Sequence, residues 1–189
     1  MKIEYIIGIL IIWGLISCSD RDENQEPTYG KVNVALSVTL PEPENVHSLA
    51  RSYTDSEIKN VDVLVFDEDG KFMERVKVDG GELTPSGTEI SFSIRLDATS
   101  KRRVIHLVTN GRSPDGGTDR LNFNDITSGM LESAAIPALG TTAMIFGSLE
   151  DQVMPLIMWG RVELPTGINI VTKADGVKLL GGRSSNHSL

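Results

Sequence analysis

The chain has 189 residues, 40% of them hydrophobic and 5% aromatic, with a formal net charge of −8. That length holds one domain with a real core and falls short of two comfortable ones. The acidic balance argues against nucleic acid and anionic lipid as partners, since both require a basic footprint. The single cysteine excludes an internal disulfide, a thiol redox pair and a cysteine-based zinc site.

The first segment reads as an address. Lys2 precedes an apolar stretch over residues 6–15, and Ser17 stands directly before the only cysteine, Cys18. A charged start, a short apolar run and a small residue at the cut are the parts of a secretory signal peptide. The run is too short for a membrane span, which takes about 20 apolar residues. Ser17-Cys18 resembles a bacterial lipobox, which implies cleavage between these two residues and lipidation of Cys18. An ordinary export signal with an incidental cysteine, or a short anchor, remains open. Glu4 fits poorly, because it nearly cancels Lys2. Of the 189 residues, removal of 1–17 leaves 172.

Residues 18–30 are mostly polar and acidic and lack apolar periodicity, so they are expected to form a flexible tether. Acidic residues just after the cysteine also resemble the surface-export signal of Bacteroidetes lipoproteins, and a plain solvated linker explains them as well. A β domain is expected over residues 31–180. Val32, Val34, Leu36, Val38 and Leu40 alternate strictly with other residues, which predicts a half-buried strand ended by Pro41 and Pro43. Val61, Val63 and Val65 alternate on one side while Leu64 and Phe66 fill the other, which places this strand between layers. Asp67-Glu68-Asp69-Gly70 is a hairpin turn rather than a calcium loop, since the further ligands of an EF-hand are missing. More strands are expected over residues 72–78, 90–96, 104–108, 156–159 and 168–171. Asn122 or Asn124 is expected to cap a helix bearing Ile126, Met130 and Leu131. Seven or eight short strands and one short helix make an all-β sandwich.

Catalytic constellations are missing from the sequence. His47, His106 and His187 show no metal-ligand spacing, and His106 lies within an apolar strand with its ring expected on the more polar face. No nucleophile elbow occurs, and the Gly-Gly pairs lack the Lys-Ser/Thr of a phosphate loop. No enzyme activity, cofactor, catalytic residue or metal site is expected. In the polar loop after the first strand, the Arg51-Ser52 bond is where a trypsin-like protease would cut, and a solvated loop arginine is the alternative.

The lipobox, the acidic tether, the strand at 32–40, the loop with Arg51 and the segment 58–72 (IKNVDVLVFDEDGKF) together resemble the N-terminal domain of the fimbrillins. These are type V pilus subunits and related fimbrial lipoproteins of Bacteroidetes. Residues 92–96, 104–111 and Met158-Trp159-Gly160 look similar too. The resemblance implies a transthyretin-like β-sandwich, lipid-anchored at the outer membrane and exposed in a fimbrium. It also implies that an arginine-specific protease cuts after the first strand of polymerising members, opening a groove that a strand of the next subunit fills. Arg51 matches the cut, and Val32, Val34, Leu36, Val38 and Leu40 would lie on the displaced strand. Anchor and tip members could retain that strand, and a first strand proving central and irreplaceable would argue against exchange. Partners are then other fimbrial subunits and the outer membrane. The alternative is a non-polymerising surface lipoprotein that binds a glycan or host protein through loops such as 113–119. Fimbrillins continue into a second β domain; here residues 181–189 turn polar, which suggests a short relative or a truncated frame.

Overall fold

A computed structural model describes residues 29–40, 57–140 and 155–181. Nine strands and one helix follow in order: β1 (Tyr29–Thr39), β2 (Asn60–Phe66), β3 (Phe72–Asp79), β4 (Thr84–Ser86), β5 (Glu89–Ala98), β6 (Arg103–Thr109), α1 (Glu132–Ala138), β7 (Met158–Leu164), β8 (Lys173–Lys178) and β9 (Leu180–Gly181). One sheet runs β4-β5-β1-β8 and the other β3-β2-β6-β7-β9. The chain is an all-β sandwich with a short helix.

Alternation decides which side chains meet between the sheets. Val34, Leu36 and Val38 pair with Ile94, Phe92 and Ile90 across the β1–β5 ladder, and all six are buried. Opposite them lie Val61, Val63 and Val65 of β2 with Ile105 and Leu107 of β6, in the same apolar cluster. The other face of the five-stranded sheet is apolar as well. Leu64 and Phe66 of β2 and Val104 and Val108 of β6 pack under Leu121, Phe123, Ile126, Ala135 and Leu139, which form a second cluster. Every residue of β2 and β6 is therefore buried, as expected of strands between layers.

The β2–β3 hairpin closes as its sequence predicts. Asp67 Oδ1 accepts from the N–H groups of Asp69 and Lys71, and Gly70 takes a φ of 75°. Two expectations fail. The helix does not start at Asn122 or Asn124: residues Phe123–Asp125 make one 3-10 turn, and α1 begins only at Glu132. Gly129 has a φ of 84°, outside helical space, and its N–H donates to Phe72 O while Phe72 N–H donates to Met130 O. Pairing with the start of β3 thus overrides the apolar stripe. Residues 168–171 are not a strand either. Only Ile168 pairs, with Thr99, and the Asn169 carboxamide then accepts from Val171 N–H and turns the chain. β4 and β9, of three and two residues, were too short to read from alternation.

At the lower end of the sandwich, where β1 starts and β5 ends, the Thr99–Ile168 bridge joins the segment after β5 to the segment after β7 through bonds of 2.8 and 2.7 Å. Gly167 makes this possible. Its φ is 78°, and a Cβ there would lie 2.1 Å from the Thr99 carbonyl oxygen. The described helix is not long or apolar enough to cross a membrane.

Leu36 is 1% exposed whereas Val32 is only partly buried. Leu36→Ala is expected to cost about 2–5 kcal/mol through lost burial and a residual cavity, and Val32→Ala distinctly less. Urea denaturation of the two variants checks this ordering.

Candidate functional site: the first strand and its slot

β1 occupies the middle of its sheet. It pairs antiparallel with β5 from Tyr29↔Ala98 to Thr39↔Glu89, and parallel with β8 from Ala35↔Lys173 to Thr39↔Lys178. The alternation read over 32–40 sets this up: Val34, Leu36 and Val38 enter the core, while Val32 and Leu40 at the two ends are partly buried. The strand itself stops at Thr39, and Leu40 N–H donates to Thr88 O at 2.9 Å.

Ser37 is the polar exception. Its hydroxyl donates to the Glu89 carboxylate and accepts from Gly176 N–H at 2.7 Å, so one side chain ties β1 to both neighbours. The β1–β8 register shifts between Leu36 and Val38, where that bond forms. Without β1, two rows of backbone donors and acceptors would face each other across an apolar slot. Each aliphatic side chain withdrawn would forfeit roughly 1.5–3 kcal/mol of burial.

The other end of the sandwich carries a buried charge network that sequence reasoning missed. Asp62, on β2, is 0% exposed. It accepts from Arg75 Nε at 2.9 Å and from Arg112 Nε at 3.4 Å. Arg75 also binds Asp119 in a two-pronged pair at 2.6 and 2.9 Å and lies 3.5 Å from the centre of the Phe123 ring. Arg112 reaches Asp79 at 2.5 Å and the Val78 carbonyl at 2.9 Å. Burial pushes the Asp62 carboxyl above its ordinary range, against the pull of both arginines. The Arg75 bond holds Asp119 below its own. An Asp inside an otherwise apolar two-faced strand was the available signal, because such a residue needs a buried cation.

This network clamps the loop 113–119, which sequence reasoning offered as a ligand-binding loop. Within it Ser113 binds Asp115, Thr118 N–H donates to Ser113 Oγ, and Arg112 binds the Gly116 carbonyl. Its polar groups are largely satisfied from within.

His106 projects to the outer, more polar face of the five-stranded sheet, as expected, edge-on to Phe66 and Trp159. Trp159 Nε1–H donates to Nδ1 at 2.9 Å, so Nδ1 carries no proton and Nε2–H donates to Glu132 at 2.8 Å. Glu132 also accepts from Arg161 Nε at 2.7 Å, which keeps its carboxyl below the usual range. The cluster lies at an open hollow of about 630 Å³ that Ser133 also lines. With both ring nitrogens committed, the imidazole has no lone pair to activate that hydroxyl. Among the described residues no group of three or more His, Cys, Asp or Glu could hold a metal ion. Ser17, Cys18, Arg51, Ser52, His47 and His187 lie outside the described residues.

Residues 23–153 match the family described as fimbrillin-A associated anchor proteins Mfa1 and Mfa2. This chain belongs to that family. Among solved structures, a fimbrial assembly protein from Parabacteroides distasonis is 15% identical with a TM-score of 0.45, over 80% of this chain and 51% of its own. The tip fimbrial protein Mfa3 from Porphyromonas gingivalis is 10% identical with a TM-score of 0.38, over 79% of this chain and 48% of its own. The chain thus spans about half the length of these structures. No curated protein matches it.

Two outcomes follow from the polar clusters. Asp62→Ala would take one of two carboxylate partners from buried Arg112 and from part-buried Arg75, leaving Asp79 and Asp119, and is expected to cost about 1.5–3 kcal/mol, measured by denaturant unfolding. Burial lowers the His106 pKa from 6.5, so the unfolded chain binds this proton more readily and stability falls as pH drops below about 6.5 through the folded value. A His106→Gln variant should show a flatter stability profile between pH 8 and 5 than the parent.

Proposed function

We propose that this chain is an anchor-type structural subunit of a cell-surface fimbria, exported as a lipoprotein and held in the outer membrane by an acylated Cys18. Membership of the anchor family supports the class. The observation that carries the finer reading is the seating of β1. The strand that follows the tether is bonded on both sides and buries Val34, Leu36 and Val38. A pull from the lipid along this strand loads its ladder bonds together, since they run across the strand axis. β1 is thus the joint between the membrane end and the sandwich.

A second reading rests on the same seating. A cut between Arg51 and Ser52 would leave β1 held only by non-covalent contacts. Its departure would open a slot for a strand of another subunit, with main-chain bonds supplying affinity and alternating side chains refilling the core. β1 is central in its sheet, so this reading requires that it be replaceable. A loop-based surface binder is less favoured, because the loop 113–119 spends its polar groups on itself.

Intact-mass measurement of protein recovered from cells, with and without an arginine-specific protease, separates the two. The anchor reading expects an acylated start at Cys18 that the protease leaves unchanged. A mature start at Ser52 would overturn it in favour of strand addition.

A further inference from the structure

The lower end of the sandwich carries an apolar feature that the fold does not use. Ile170 and Val171, adjacent at the tip of the turn between β7 and β8, are 83% and 75% exposed, the highest values among the exposed large aliphatics of the described residues. Beside them opens a groove of about 470 Å³, lined by Gly30, Val32, Ala98, Ile168 and Ile170 among others. Thr99, Ser100, Thr166 and Asn169 complete the lining, whose accessible surface is chiefly apolar. Single exposed aliphatics are ordinary, but an adjacent pair above an apolar groove marks a contact surface. The turn itself is well made: Asn169 N–H donates to Thr172 Oγ1 at 2.8 Å, and Thr172 N–H to Asn169 O at 3.1 Å. Its backbone needs are thus met internally, and both side chains are left pointing outward.

The place of this patch says what covers it. Gly30 and Val32 belong to the entry of β1, so the patch surrounds the point where the chain arrives from Cys18. Residues 18–28, outside the described part, span at most about 40 Å when fully extended. Their sequence after Cys18 is polar and acidic, the wrong chemistry to fill an aliphatic groove. The last described residue, Gly181, pairs with Met158 at the opposite end of the sandwich.

We propose that Ile170, Val171 and the adjoining groove form a membrane-contacting face, dipping into the lipid surface to which Cys18 is tied. The inference rests on the lipid-anchor reading of Cys18. The contact is apolar rather than electrostatic, and the net charge of −8 does not oppose it locally. Three carboxylates at this end are matched by cations, in the pairs Lys71–Asp69, Lys101–Glu68 and Arg102–Glu163. Two aliphatic side chains hold a free protein to a bilayer only weakly, whereas a chain already tied to the lipid meets it at an effective concentration in the mM range. The face therefore sets orientation: it lays the lower end of the sandwich on the membrane and turns the Gly181 end outward.

The test uses the chain from Cys18 to Leu189, coupled through its only cysteine to maleimide-bearing lipid in phosphatidylcholine vesicles, which supplies the tether whether or not cells acylate Cys18. Ile170→Trp, with Val171→Trp as a second reporter, is expected to shift its emission to shorter wavelength on coupling and to be quenched by lipids with brominated acyl chains. Leu180→Trp, at the opposite end and 72% exposed, should show neither change. Emission from position 170 that stays water-like on the vesicle overturns the proposal. So does a blue shift that appears without lipid and grows with protein concentration, which would assign the face to a second copy of the chain. Failure of the anchor reading itself shows separately, as an unacylated mass for protein taken from cells.

Discussion

The structure depends on a sheet that must be covered on both faces. β2 and β6 place Val61, Val63, Val65, Ile105 and Leu107 on one side and Leu64, Phe66, Val104 and Val108 on the other. Neither face can meet water without losing the burial that drives folding, on the order of 25 cal/mol for each Å² of apolar surface. The four-stranded sheet covers the first face. The second is covered by residues 121–139, whose 3-10 turn and short helix have little stability of their own. α1 spans seven residues, has Pro137 within it and lacks a side-chain cap. A helix of that length persists because Ala135 and Leu139 are buried against the sheet.

Seen this way, the polar groups on the outer face are fasteners for a weak layer. Glu132 starts the helix and binds both His106 of β6 and Arg161 of β7. At the other end of the same face, the charges around Asp62 hold the loop that leads into residues 121–126. A buried ion pair adds little net stability over an apolar equivalent, but breaking one is costly. Such groups suit positions where one arrangement must be favoured over others, and they fix how the irregular layer lies on the sheet.

Most of the sheet framework was legible in the sequence, because a period of two survives into the folded state wherever one face is buried. The strands around residues 34–38, 61–66 and 90–96 lie where alternation puts them, and the Asp67–Gly70 turn forms by local chemistry alone. What could not be read depends on contacts distant in the chain. The stripe Ile126, Met130, Leu131 has helical spacing, yet its backbone pairs with Phe72 and the stretch enters the sheet edge instead. The residues 168–171 look apolar enough for a strand until Asn169 turns them. Of the first-strand site, the inward residues were legible and the partner β8 was not, since its sequence (KADGVK) carries only two buried side chains. The arginines that answer Asp62 come from elements 13 and 50 residues away, which no local pattern reveals.

The pairing of β1 with β8 also orders events in time. Ser37 and Gly176 are 139 residues apart in sequence yet share a hydrogen bond. During synthesis β1 must therefore wait for a partner strand well over a hundred residues later before its sheet closes. Pairings of such long range make folding slow and leave an alternating apolar strand open to mispairing in the interval. A chain built in this order gains from the company of a holdase until residues 173–178 arrive to close the sheet.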